Sequence, residues 1–68
     1  MKLVSISQND ITVCLERDEL DFLCNAINES VEALEEWEFH TRTGVNRSDA
    51  IELLAQLRRI SENRGQTP

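Results

Sequence analysis

The 68-residue chain is poor in the residues on which most site chemistry depends: one histidine, two cysteines, two glycines, one proline, and aromatic residues at 4%. Cys14 and Cys24 form no CxxC pair and have no histidine cluster beside them, which argues against zinc. Gly44 and Gly65 stand far apart, so no glycine-rich loop can cradle a phosphate. No ExxH pattern or Asp-rich loop accompanies the carboxylates, so the reading assigns no metal and no cofactor. The residues show no apolar run of membrane-spanning length, and no signal peptide is expected. The expectation is therefore a cytoplasmic protein with no membrane partner and with reduced thiols.

Positive charge is missing over a long stretch. Residues 18–38 contain Asp18, Glu19, Asp21, Glu29, Glu32, Glu35, Glu36 and Glu38, and no Lys or Arg. Arg42, Arg47, Arg58, Arg59 and Arg64 all follow that stretch, and the first 17 residues are balanced, leaving a net charge of −6. An acidic surface repels phosphate backbones, which argues against nucleic acid as a partner. It suits a basic protein partner by complementary steering, or simply a solvated helix face.

What the chain does have is enough for one small domain, with residues 1–65 as the unit and 66–68 as a frayed tail. Hydrophobic residues at 40% and charged residues at 29% are ordinary globular usage. The core is marginal all the same, because a chain of this size buries only about 60% of its unfolded surface.

Residues 3–15 read as a β-hairpin. Val4 and Ile6 alternate with Ser5 and Ser7, and Ile11, Val13 and Leu15 alternate with Thr12 and Cys14. A two-residue turn at Asn9-Asp10 sets Gln8 against Ile11, Ile6 against Val13 and Val4 against Leu15, with the apolar side chains on one side. A helix is expected over 19–43, capped by Asp18 and stopped by a left-handed Gly44. Leu20, Leu23, Ile27, Val31 and Leu34 form its stripe, and Cys24 reads as a small apolar residue at the core's edge. Trp37 flanks the stripe and reads as core or near-core. Glu32 and Glu36 stack one turn apart on the solvated side. A second helix is expected over 47–63, with Asn46 as N-cap, Asp49 at N3 and a Val45–Ala50 hydrophobic staple. Gly65 would follow its end, with Arg64 near the C-terminal dipole. The fold class is α+β: an N-terminal β-hairpin packed on an antiparallel pair of α-helices, in the order ββαα. Since a lone ribbon is weak and its edges open, a homodimer through the hairpin edge is expected.

The rare side chains gather in Trp37–Gly44, WEFHTRTG. Here lie the candidate interaction residues Glu38, Phe39, His40 and Arg42, together with Glu32 and Glu36 just upstream. On an unbroken helix Glu38 falls on the apolar face, where Arg42 is its favourable i+4 partner. Phe39 either packs inward at a break in the helix or stands exposed as an anchor. His40 has neither a nucleophile nor a metal partner, so no catalytic residue is assigned.

The run Glu38-Phe39-His40-Thr41-Arg42-Thr43-Gly44, followed by a capped leucine-bearing helix, resembles a group of short bacterial proteins that share an EFxTRxG corner between two helices. The resemblance spans roughly residues 20–60 and implies no activity. The leading expectation is a non-enzymatic, bacterial protein-interaction module. The alternatives are a small-ligand-binding protein or minor enzyme built on Glu38, His40 and Arg42, a homo-oligomeric structural subunit, and an immunity-type inhibitor of a basic protein.

Overall fold

The computed structural model describes residues 1–63. A two-stranded antiparallel sheet comes first and helices follow, an α+β arrangement. The strands are β1 (Lys2–Ile6) and β2 (Ile11–Cys14), and the helices are α1 (Arg17–Ala33), α2 (Glu36–Thr43) and α3 (Arg47–Glu62). Three helices stand where two were expected. Arg64, Gly65 and the 66–68 tail lie outside the described residues.

The long helix expected over 19–43 is broken. Leu34 and Glu35 are both extended, with ψ of 137° and 152°, and α2 starts afresh after them. No glycine or proline marks the break. Its local cause is a capping box of glutamates: Glu38 reaches back and accepts the Glu35 backbone N–H at 3.0 Å. The same device opens α1, where Glu19 accepts the Glu16 N–H at 3.0 Å. The cap of the first helix is thus Glu16, two residues before the expected Asp18. The long-range cause is Phe39. The break turns it inward to 1% exposure, against Val31 and Ala50. Burying a phenylalanine contributes about 1.5–3 kcal/mol, which offsets the hydrogen bonds lost at the break.

Two small apolar clusters hold α1 to α3. Leu20, Cys24 and Leu54 form one, flanked by Leu15, Ile27 and Leu57. Val31, Phe39 and Ala50 form the other, flanked by Ile27 and Leu34. The two helices run antiparallel, since Arg17 Nη1 donates to the Ser61 carbonyl at 2.7 Å at one end and Arg47 Nε donates to the Val31 carbonyl at 3.1 Å at the other. The last turn of α1 has no basic residue of its own, so Arg47 satisfies a carbonyl at its negative end from another helix. Among the described residues, charge pairing between the acidic and the more basic helix is not what joins them. Ser61 Oγ donates to Asp21 at 3.0 Å and Arg58 to the Asn28 amide oxygen at 3.4 Å, each charged group meeting a neutral one.

The hairpin forms, but not in the expected register and not on the helices. Ile6 pairs with Ile11, Ser5 with Thr12, Leu3 with Val13 and Lys2 with Cys14, with a bulge at Val4 between Leu3 and Ser5. The turn is centred on Gln8-Asn9 rather than Asn9-Asp10. Ser7 and Asp10 close it, with the Ser7 N–H on the Asp10 carbonyl at 2.8 Å and the Asp10 N–H on Ser7 Oγ at 3.0 Å. Asp10 thus acts as a turn closer through its backbone while Ser7 supplies the side-chain bond. Moving the centre by one residue changes the partners on the turn side of the bulge by two, so Ile6, Ile11 and Val13 still share one side of the ribbon. Among the described residues nothing covers that side: every residue of both strands is exposed. The helices spend their apolar stripes on one another, and only Leu15, just after β2, joins the helical core.

Candidate functional site

The WEFHTRTG corner folds as α2 and its exit. Gly44 ends it with φ of +84°, and its N–H donates to the His40 carbonyl at 2.8 Å. A left-handed residue at a helix stop favours glycine. Thr43 ties the exit down, its hydroxyl donating to the Phe39 carbonyl at 2.8 Å and accepting the Val45 N–H at 3.3 Å. Asn46 occupies the N-cap position of α3 without a side-chain cap bond, its amide nitrogen lying 3.5 Å from Asp49 Oδ2.

The break reverses the expected roles of the two aromatics. Trp37, expected near the core, is 80% exposed, because α2 is rotated relative to the continuation of α1. Phe39 takes the interior place and becomes a structural residue rather than a free anchor. Glu38 is half-buried and holds Arg42 Nε at 3.3 Å, so one carboxylate serves both the cap of α2 and an i,i+4 ion pair. His40 is exposed, and among the described residues its imidazole takes part in no hydrogen bond or ion pair. The trio Glu38, His40 and Arg42 is therefore a pair and a separate histidine. Glu32 and Glu36 fall on different helices with the break between them, so the expected stacking does not form; Glu32 instead accepts the Asn28 amide at 3.3 Å. Among the described residues no group of three His, Cys, Asp or Glu side chains could hold a metal ion, and no helix is long and apolar enough to cross a membrane.

The concave surface lies elsewhere, between α1 and the α2–α3 corner. A groove of about 350 Å³ is lined by Leu23, Ala26, Ile27 and Ser30 of α1, by Phe39 and Thr43 of α2, by Val45, and by Asp49, Ala50 and Leu53 of α3. Its two hydroxyls are already engaged, Ser30 on the Ala26 carbonyl and Thr43 on the Phe39 carbonyl. Only the Asp49 carboxylate adds charge to the lining. Glu29 and Glu52 are next in sequence to the lining residues Ser30 and Leu53, and Arg42 is next to Thr43. Glu38, His40 and Arg42 line neither this groove nor the two other crevices. One of those, under Met1, Leu15 and Phe22, meets the groove at Leu23 and extends the apolar surface toward the hairpin. The other lies between Asp21 and Arg58.

A groove without convergent polar groups is a poor holder of a small polar substrate, which needs a few placed donors and acceptors. It suits apolar side chains of another polypeptide. Sequence reasoning named Leu23 and Val45 as stripe and staple residues and so missed the groove. Its floor exists only because Phe39 swings under it, and nothing local in the sequence marks the break that allows this.

Comparison of the chain with protein-family models, with curated proteins and with solved structures finds no match to any of them.

Proposed function

We propose that the chain is a non-enzymatic protein-interaction module, which takes apolar side chains of a basic partner into the α1–α2–α3 groove. The observation that carries this reading is the groove itself, apolar in its lining except for Asp49, in a chain of net charge −6. The acidic run from Asp18 to Glu38 adds long-range attraction for a basic partner and raises its on-rate. Leu53 and Leu23, both partly exposed in the lining, are the residues placed to meet the partner. A bacterial source, as in the proteins with an EFxTRxG corner, belongs to the same proposal, and an immunity-type inhibitor would be one form of it.

The test is affinity capture from the native cell with the wild type, Leu53→Glu and Glu29→Lys. Far-UV circular dichroism should leave both variants folded, since both positions are exposed. Loss of one specific protein with Leu53→Glu, and its weakening with Glu29→Lys and with added salt, are the expected results. An unchanged partner set with Leu53→Glu would remove the groove from consideration.

A further inference from the structure

We propose that the apolar face of the hairpin seats a second copy of this chain, the two ribbons packing face to face about a two-fold axis. Leu3, Val4, Ile6, Ile11 and Val13 belong to this face, from 40% (Val13) to 68% (Ile6) exposed. The pairing puts Leu3 opposite Val13 and Ile6 opposite Ile11, hence on one side, while Lys2 with Cys14 and Ser5 with Thr12 occupy the other. The bulge keeps Val4 with the apolar set, because both residues of a bulge oppose a single partner, here Val13.

Charge selects the occupant. Residues 1–15 carry Lys2 against Asp10 and no other charged side chain, whereas the excess negative charge of the molecule begins at Asp18. Two copies approaching through α1 meet carboxylate against carboxylate. Through the hairpin they meet without that repulsion. A basic partner has no charge to find on this face, and a copy of the same face is complementary to it in chemistry and size. A two-fold contact is self-complementary by construction. The face is small against the roughly 800 Å² per partner of a standard stable complex, so the dimer should be weak and concentration-dependent.

This proposal is independent of the groove: the variant Leu53→Glu should leave the dimer unchanged. The experiment is sedimentation equilibrium on the full chain in reductant, so that the exposed Cys14 does not bridge copies. Wild type should rise with concentration from 7.8 kDa toward twice that mass. Ile6→Glu, on the apolar face, should stay monomeric, and Ser5→Glu, on the other side of the same strand, should dimerise like wild type. Ile11→Thr keeps a β-branched residue in the strand and should weaken the dimer about tenfold even where a glutamate would unravel the ribbon. A wild type that remains at 7.8 kDa across the micromolar range overturns the proposal and leaves the face to another molecule, a protein or a lipid surface. Dimerisation unaffected by Ile6→Glu and Ile11→Thr overturns it as well.

Discussion

The helices and the hairpin are both rich in aliphatic side chains, yet they treat them in opposite ways. The helices lodge Leu20, Val31 and Leu54 against one another, and the hairpin leaves Leu3, Ile6 and Ile11 in water. The difference is one of partners rather than composition. A stripe on α1 finds α3 across a short corner, and the break at Leu34-Glu35 adds Phe39 between them. A ribbon has only its own two strands, which share a face instead of covering it. Two residues, Leu15 and Glu16, separate β2 from α1, and α1 is capped at once. The Met1 ammonium also holds Glu19 Oε2 at 2.7 Å, pinning the start of β1 to the first turn of the helix. Local hydrogen bonding fixes where the ribbon stands, and among the described residues no apolar surface covers its strands.

The sharpest break in that comparison is Phe39→Ala, expected to cost about 3–5 kcal/mol in chemical denaturation. Trp37→Ala, two residues away, should change stability by no more than about 0.5 kcal/mol. A larger loss at Trp37 than at Phe39 would mean that α1 and α2 form one continuous helix. Gly44→Ala comes next. No heavy atom lies within 4 Å of an added Cβ, so only the left-handed backbone is charged for it, about 1–2 kcal/mol. A loss near zero would show that the corner can relax. Arg47→Met removes the bond to the Val31 carbonyl that caps α1 from outside, and should cost about 1 kcal/mol. Amide exchange should then quicken in the last turn of α1 more than in its first.

The smallest effect concerns acid. The Glu19 carboxyl is held below its ordinary value, first by the bond from the N-terminal ammonium and then by the Glu16 N–H, with slight burial opposing both. A value lowered on folding stabilises the folded form above the unfolded carboxylate range, and that contribution fades as pH falls through the folded value. Acidification should therefore loosen the tie between β1 and α1 while the helical clusters persist. Exchange of the Glu16 amide reports it, and in Glu19→Gln this acid dependence should vanish.

Much of the frame was legible in the residues themselves. Alternation in 3–15 gave two strands and their apolar side, Gly44 gave a helix stop, and Asn46 with Asp49 gave the start of α3. Each of these rests on local chemistry. The expected register failed by one residue at the turn, because Ser7 bonds the backbone of Asp10 and moves the turn centre to Gln8-Asn9. The break escaped because Glu35 and Glu38 read as two more carboxylates on an acidic helix, and glutamate is an uncommon cap. The fate of Phe39 depended on that break, and the groove depended on Phe39. Of the residues expected to matter for binding, Glu38 and Arg42 do meet, but they meet to hold α2 in place.

The position of Trp37 has a practical consequence. The only indole of the chain already faces water in the folded molecule, so its emission will scarcely change when the protein denatures, and a fluorescence melt will be nearly silent. The same residue becomes a clean reporter of association: a blue shift on mixing with another molecule would record contact at the outer face of α2 without any signal from the core.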